Sequence, residues 1–438
     1  MSDDALIHLR TEGARVLGHH GEPTRLRGVC VGGWLTMENF ITGYSGNESM
    51  MRAAVRRVVG EERYKLFFER LLAVFFDDAD AAFLAGAGLN CVRVPVNYRH
   101  LEDDARPFEV KEDGFRHLDR LIGACAAHGI TTVIDLHALP GSQNHHWHSD
   151  NPTHRALFWE HPHFQDRVVN LWEAIADRYK DDVWVAGYNL MNEPADESRQ
   201  VVGPFYQRLV TAIRQTDPHH MLFLDGNTYA TEFDVFDEPF ENAIYTCHDY
   251  VSAGLGRSNE YDRGSAEAKF LQRSAYARAT GTPIYVGEFG PIYTGDRAIE
   301  EKRYEILRDQ LDIYREHDAG WALWMYKDIG RQGLVSASPD SPYRQVVADF
   351  VAKKERLGVD QWGSDGEGPR EVTRPVQELV AREFPDFDPY PWGRFDWVRT
   401  LLLNITFAQP MVDEYAELFR GLDDRALASL GGSFAFEK

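Results

Sequence analysis

The sequence contains no apolar run long enough to cross a membrane and very little cysteine. No uncharged apolar stretch reaches the ~18 residues that a transmembrane helix needs. Only four cysteines occur among 438 residues, and none form a Cys-x-x-Cys pair, which predicts reduced thiols rather than a disulfide framework. The N-terminus has no basic region followed by an apolar stretch. We therefore expect no signal peptide and a cytoplasmic protein.

Positive charge is also scarce. The chain carries 47 lysines and arginines against 69 aspartates and glutamates, a formal net charge of −22. Such a field repels polyanions, which argues against nucleic acid and anionic membranes as partners. Hydrophobic residues make up 43% of the chain and aromatic residues 12%, enough to build a sizeable core, so wholesale disorder is excluded. The composition leaves the oligomeric state open, including a homo-oligomer.

Eight short apolar runs recur along the chain with helical periodicity between them. They are apolar at nearly every position, which is typical of parallel strands buried on both faces. Eight strand-then-helix units predict an α/β fold of the (β/α)₈, or TIM barrel, class. The alternative is an open doubly wound sheet, which is disfavoured because no Gly-rich phosphate turn opens a helix. The runs cover residues 27–33, 89–96, 130–138, 185–193, 221–226, 243–250, 283–290 and 320–328.

Two connections and the C-terminal part do not fit a minimal barrel. Residues 34–88 and 140–158 are too long for simple crossovers, and loops of that length are usually binding loops or lids. After about residue 365 a turn-rich linker leads into alternating aromatics and prolines, followed by helical patterns at 398–405 and 411–419. We therefore divide the chain into a barrel, residues 1–365, and a mostly helical C-terminal extension, residues 366–438, packed on the barrel.

Two glutamates end strand-like runs, Glu193 in Asn-Leu-Met-Asn-Glu-Pro and Glu288 in Tyr-Val-Gly-Glu-Phe-Gly. On the fourth and seventh strands of a barrel they would face each other across the mouth. A separation of ~5 Å suits retaining glycoside hydrolysis, in which one carboxyl protonates the leaving oxygen and the other attacks the sugar carbon. A proton donor at Glu193 needs desolvated, less positive surroundings that raise its pKa. This chemistry needs no metal or organic cofactor.

Other polar and aromatic residues stand at or near the predicted strand ends. Arg93 is expected to keep Glu288 ionised, and Tyr250 to donate its hydroxyl to the same carboxylate. Asn192 is placed to bond a sugar 2-hydroxyl, and Trp324 offers an apolar floor for a sugar ring. The remaining candidates for substrate binding are His137, His248, Trp147, Trp34 and Glu38.

A histidine-rich segment follows the third predicted strand. Its spacing matches neither a helical His-x-x-x-His pair nor a Cys/His finger, so a sugar-contacting or solvated loop is favoured over a metal site. The histidines concerned are His145, His146, His148 and His154.

Taken in order, these motifs resemble glycoside hydrolase family 5, the retaining (β/α)₈ glycosidases of clan A. The resemblance implies that Glu193 is the acid/base and Glu288 the nucleophile, that the substrate is an oligosaccharide, and that no cofactor takes part. Residues 137–144 resemble the exo-acting glucanases of the family, whereas residues 145–148 depart from them. The matching segments are Val92-Arg93-Val94-Pro95, Asp135-Leu136-His137, Asn192-Glu193-Pro194, His248-Asp249-Tyr250, Gly287-Glu288-Phe289-Gly290 and Ala322-Leu323-Trp324.

The two long loops are expected to narrow the cleft to a pocket, which predicts exo-action on short oligosaccharides. By resemblance to exo-acting bacterial members with closed sites, the best prediction is an exo-β-mannosidase. An exo-β-glucosidase or glucanase of the same family is one alternative, and a non-catalytic glycan-binding barrel is another. A metal-dependent hydrolase is the third.

Overall fold

The computed structural model describes residues 6–258, 260–359 and 367–436. Eight parallel strands form a closed barrel in which each pairs with the next and the eighth pairs with the first, so the (β/α)₈ prediction is confirmed. The strands are β1 (Arg27–Cys30), β2 (Cys91–Asn97), β3 (Thr131–Ala138), β4 (Val185–Asn189), β5 (Met221–Asp225), β6 (Ala243–His248), β7 (Ile284–Phe289) and β8 (Gly320–Leu323).

Several predicted strands were too long at their C-terminal ends, most of all β4 and β8. Strand β4 ends at Asn189, so Glu193 lies in the loop beyond it. Glu193 has a φ of 46°, in the left-handed region that a strand cannot contain. Strand β8 ends at Leu323, and the last residues of the predicted run, Lys327–Asp328, pair instead with Val335–Ser336.

Helices surround the barrel and fill the long connection after β1. Gly60, with a φ of 81°, separates the two longest of the four helices of that connection, Glu48–Val59 and Glu61–Val74. The helices up to residue 359 are Asn39–Thr42, Glu48–Val59, Glu61–Val74, Asp78–Gly86, Arg116–Ala127, Pro162–Tyr179, Val202–Thr216, Asn227–Ala230, Arg263–Arg273, Ala275–Thr280, Arg297–Glu316 and Pro342–Leu357, with 3₁₀ turns at Tyr98–His100, Glu112–Phe115, Trp147–Ser149 and Leu157–Trp159.

Apolar side chains are buried in two layers, one inside the barrel and one between the strands and the surrounding helices. A small antiparallel sheet of Arg10–Glu12, Arg15–Leu17 and Pro23–Thr24 precedes the barrel. Its Val16 belongs to the inner cluster together with Phe223 of β5. All four cysteines are buried and unpaired, as the sequence predicts.

The proposed boundary at residue 365 lies outside the described residues, so the division into barrel and extension stays a prediction. C-terminal helices are present and contact the barrel's helices: the rings of Phe67 and Phe419 lie 5.1 Å apart, and the Tyr343 and Tyr415 hydroxyls 2.7 Å apart. Within the described ranges, no helix combines the length and apolar content of a bilayer span. The C-terminal helices are Glu367–Glu383, Gly393–Arg399, the π-helical Thr400–Phe407, Ala408–Glu417 and Asp424–Gly432.

Candidate active site

A cavity of about 370 Å³ opens at the C-terminal ends of the barrel strands. The loops that leave those ends carry the functional residues of barrel enzymes. Nine of the eleven predicted site residues line it, and Arg93 and Trp34 do not. The nine are Glu38, His137, Trp147, Asn192, Glu193, His248, Tyr250, Glu288 and Trp324.

The structure brings Glu193 and Glu288 together in this cavity. One oxygen of each carboxylate lies within 4.8 Å of the other. That distance suits the ~5–5.5 Å of a retaining pair and is shorter than the ~6.5–9.5 Å that leaves room for the water of an inverting mechanism. The His248 ring stands between them, with Nδ1 2.6 Å from Oε1 of Glu193 and 3.5 Å from Oε2 of Glu288.

Both carboxylate oxygens of Glu288 accept a hydrogen bond. Arg93 Nη1 donates to Oε1 over 2.8 Å, and the Tyr250 hydroxyl donates to Oε2 over 2.9 Å. Charge-assisted hydrogen bonds to a carboxylate favour its ionised form. Both contacts predicted from the sequence are therefore present, and they fix the orientation of the Glu288 carboxylate.

Arg93 lies beneath the cavity instead of lining it, which corrects its prediction as a substrate-binding residue. Its side chain is fully buried. Besides Glu288, its guanidinium donates to Oδ1 of Asn189 (2.9 Å) and Oδ1 of Asn192 (2.7 Å), and lies 3.1 Å from Asp135. Arg93 thus positions the groups at the cavity floor.

Glu193 has surroundings opposite to those expected of it. Burial raises the pKa of its carboxyl, but His248 and His148 outweigh burial and hold that pKa well below its usual range. His148 Nε2 lies 3.0 Å from Oε2 of Glu193, opposite the His248 contact at Oε1. The prediction of a raised pKa was wrong, because two histidine rings face a carboxylate expected to be free of positive charge.

A stacked pair of rings forms another side of the cavity. The His137 and Trp324 rings lie 5.4 Å apart and are nearly parallel, at 8°. Nδ1 of His137 lies 2.7 Å from Asp135, and its Nε2 lies 3.8 Å from Glu38. Burial lowers the pKa of His137, but the charge and hydrogen bond of Asp135, together with Glu38 and Glu288, outweigh burial and raise the pKa to about 10. The His137 ring therefore supports one face of the Trp324 ring, and Trp324 lines the cavity.

Comparison with known proteins assigns the chain to a family. Residues 74–330 match the family model described as cellulase (glycosyl hydrolase family 5). A β-xylosidase of Phanerodontia chrysosporium is 46% identical over 453 aligned residues, covering 99% of this chain and 95% of that protein. This chain belongs to glycosyl hydrolase family 5. It is a glycoside hydrolase of a retaining family, and its substrate is a carbohydrate.

More distant relatives carry names that describe other activities. A probable glucan 1,3-beta-glucosidase A of Neosartorya fischeri is 28% identical over 356 residues, covering 70% of this chain and 84% of that protein. Among solved structures, an endogalactoceramidase aligns with a TM-score of 0.56 and 19% identity, covering 74% of this chain and 75% of that one. At that identity the structural likeness shows the fold alone. The expected kinship with exo-acting bacterial members stays a prediction.

Trp34 does not belong to the site of this family 5 enzyme, so its prediction as a substrate contact was wrong. Its side chain is fully buried, and Nε1 donates to the carbonyl of Leu72 over 2.9 Å. Trp34 packs instead with Phe76 in the layer between barrel and helices. Its position just past β1 suggested a residue at the rim of the cavity, but its ring is buried between the barrel and the helices.

Two side chains that were not among the predicted site residues, Asp225 and His148, complete the surroundings of the acid/base candidate. Asp225, at the end of β5, accepts a hydrogen bond from the backbone N–H of Glu193 over 3.0 Å, and burial raises its pKa to about 6. The strand-end rule that selected Glu288 applies equally to Asp225. His148 follows from no such rule, because its loop has neither helical nor strand periodicity.

Among the described residues, the one group of acidic, histidine or cysteine side chains close enough to hold a metal is Glu193, His248 and Glu288. The loop histidines at 145, 146, 148 and 154 form no such group in the described ranges. Both oxygens of Glu288 already accept hydrogen bonds from Arg93 and Tyr250. That donor set suits a carboxylate nucleophile better than a metal ligand.

Proposed function

We propose that this protein is a retaining exo-β-xylosidase that acts on short oligosaccharides. The observation that carries the proposal is the 46% identity to a β-xylosidase along nearly the whole of both chains. The exo-β-mannosidase predicted by resemblance has no support among the relatives described above. The glucosidase alternative has the support of the more distant glucan 1,3-beta-glucosidase.

The chemistry uses the two glutamates in separate roles. Glu288 attacks the anomeric carbon and forms a glycosyl ester, while the bond to the leaving oxygen breaks and Glu193 supplies that oxygen with a proton. Water then attacks the anomeric carbon, Glu193 takes the proton from the water, and Glu288 leaves as a free carboxylate. The distance of at most 4.8 Å between one oxygen of each carboxylate supports a retaining mechanism of this kind.

His248 supplies an explanation for a proton donor whose carboxyl has a lowered pKa. The charges of Glu288 and Glu193 outweigh the burial of His248 and raise the pKa of its ring. His248 therefore holds a proton more readily than an ordinary imidazole does, and it lies one hydrogen bond of 2.6 Å from Glu193. When a leaving oxygen reaches Glu193, the proton passes from the histidine to the carboxylate and from there to the leaving group.

Exo-action is supported by the walls around the cavity. The loop after β3 contributes Trp147 and His148, and the long connection after β1 contributes Glu38. A cavity of about 370 Å³ is at the lower end of the ~300–1,000 Å³ range of small-ligand sites. Such a space suits short sugars rather than a long polysaccharide. The cytoplasmic location remains a prediction of the sequence.

A panel of aryl β-glycosides tests the proposed glycone. The β-xyloside, β-glucoside and β-mannoside of one phenol are compared by kcat/KM, because a common leaving group isolates recognition of the sugar. We expect the xyloside to be the best substrate. A mannoside or glucoside turned over faster than the xyloside would contradict the xylosidase proposal while leaving the retaining mechanism intact.

Exo-action has its own measurement. Soluble xylan incubated with the enzyme should release reducing sugar while its viscosity stays nearly constant, because exo-cleavage removes terminal units. Rapid loss of viscosity would show cleavage within the chain and contradict the proposal.

A further inference from the structure

The C-terminal extension forms part of the wall of the active-site cavity. Two contacts hold it there: the Tyr390 hydroxyl lies 2.8 Å from Oγ1 of Thr228, and the Trp392 and Tyr229 rings lie 5.4 Å apart. The family match ends at residue 330, so this wall lies outside the part of the chain that defines the family. The wall residues are Trp392, Asp396, Arg399, Thr400 and Asn404.

The wall stands on the Glu193 side of the cavity. His148, which contacts Glu193, has its ring 6.0 Å from both the His146 and Tyr229 rings. His146 in turn lies 3.8 Å from Asp396, and Tyr229 packs on Trp392. A continuous set of side chains therefore connects the proton-donor candidate to the extension.

The opposite side of the cavity is built around Glu288. There Tyr250 bonds Glu288, and Trp324 stacks on His137. In a retaining glycosidase the proton donor stands beside the leaving oxygen, and the nucleophile stands beneath the anomeric carbon. The extension thus borders the space into which the leaving group departs.

Trp392 is the large apolar side chain of this wall. It lines the cavity, yet it is 48% exposed. An amphipathic ring at a wet cavity wall is available to pack against a ligand, since aromatic side chains bury a large area and order few torsions. Asp396 lines the same wall and offers a carboxylate acceptor for hydroxyl groups.

We propose that the C-terminal extension builds the leaving-group subsite, with Trp392 as the surface on which the departing sugar ring packs. The assignment rests on the proposed function, because the roles of Glu193 and Glu288 decide which end receives the leaving group. Asp396 accepts a hydrogen bond from a hydroxyl of the same sugar. The extension thereby selects substrates that carry a second sugar ring.

Two substrates separate recognition of the leaving group from the chemistry. One is the β-linked disaccharide of the glycone that the aryl panel selects, whose leaving group is a sugar. The other is the β-glycosyl fluoride of that glycone, whose leaving group has no ring to pack. For Trp392→Ala we expect kcat/KM on the disaccharide to fall about tenfold, equivalent to about 1.4 kcal/mol. On the fluoride we expect a change of less than about twofold.

Phe395→Ala is the matched control. Phe395 lies in the helix Gly393–Arg399, which begins directly after Trp392. Its side chain is 55% exposed and is absent from the cavity lining. We expect both substrates to be turned over by this variant within about twofold of the wild type. Trp392→Phe retains a ring and should recover most of the rate on the disaccharide.

Several outcomes would overturn the assignment. Equal losses on the disaccharide and the fluoride would show that Trp392 supports the fold or the glycone side rather than the leaving group. No loss on either substrate would show that the departing sugar does not contact Trp392. A wild-type enzyme that turns over no glycone in the panel would instead refute the proposed function.

Discussion

Removal of the Tyr250 hydroxyl tests how the nucleophile is held. Tyr250→Phe deletes one oxygen and keeps the ring, so the cavity keeps its shape. The deleted group donates to Oε2 of Glu288 over 2.9 Å. Burial, together with the charges of Glu288 and Glu193, raises the pKa of Tyr250 well above its ordinary value, so the hydroxyl stays protonated and able to donate throughout the assay range.

The expected size of the effect follows from the kind of bond that is lost. A hydrogen bond to a charged group contributes about 1.5–3 kcal/mol. If that whole amount enters the barrier to the release of Glu288, kcat falls by about 10- to 150-fold. The loss is expected mainly in the step that expels Glu288, because a carboxylate without this donor is a poorer leaving group. Arg93 still donates to Oε1, so turnover is slowed rather than abolished.

The assay compares kcat and the pre-steady-state burst for an aryl glycoside with a good leaving group, because release of Glu288 limits kcat for such a substrate. Slower release of Glu288 should enlarge the burst, because the glycosyl-enzyme accumulates. Tyr304→Phe is the control, since Tyr304 is 43% exposed on the helix Arg297–Glu316 and should leave both quantities unchanged. A Tyr250→Phe enzyme with wild-type kcat would refute the view that this hydroxyl holds the nucleophile.

Three further predictions follow from the same site. Glu288→Ala should lower turnover by about three or more orders of magnitude while keeping affinity for the product sugar by calorimetry; full activity in this variant would show that Glu288 is not the nucleophile. His137 has a pKa raised from 6.5 to about 10, so its contribution to stability is complete below pH 6.5 and is lost as the pH rises through about 10. The difference in unfolding free energy between wild type and His137→Asn should therefore shrink between pH 6 and pH 10, and a difference independent of pH would contradict that pKa. Exhaustive chelation should leave the rate unchanged, since Glu193 and Glu288 supply the chemistry; loss of activity restored by a metal ion would favour a metal-dependent hydrolase.

Much of the barrel was predictable because its strands are buried on both faces and therefore read as unbroken apolar runs. The ends of the runs were less predictable. At 185–193 the apolar pattern continues past the last residue of the strand, Asn189, into a loop that holds Glu193 with a φ of 46°. Hydrophobicity alone does not distinguish a strand from a buried loop at an active site.

The carboxylate pair was predictable from strand order, but its electrostatics were not. Glu193 and Glu288 follow from the position of strand ends on a barrel. The His148 contact of Glu193 depends on how the loop at 140–158 folds beside the cavity, and that loop has no periodic pattern. The place of Trp392 in the cavity wall was equally unpredictable, because Trp392 follows Glu193 by more than 190 residues in sequence.

Covalent trapping of Glu288 tests the central claim most directly. Incubation with a 2-deoxy-2-fluoro β-glycoside of the preferred sugar, bearing an activated leaving group, slows release of the glycosyl-enzyme enough for peptide mapping by mass spectrometry. The account predicts one added fluorosugar per chain, attached to the peptide that contains Glu288. A label on Glu193 or on another residue, or substrate turnover through which no glycosyl-enzyme ever forms, would contradict it.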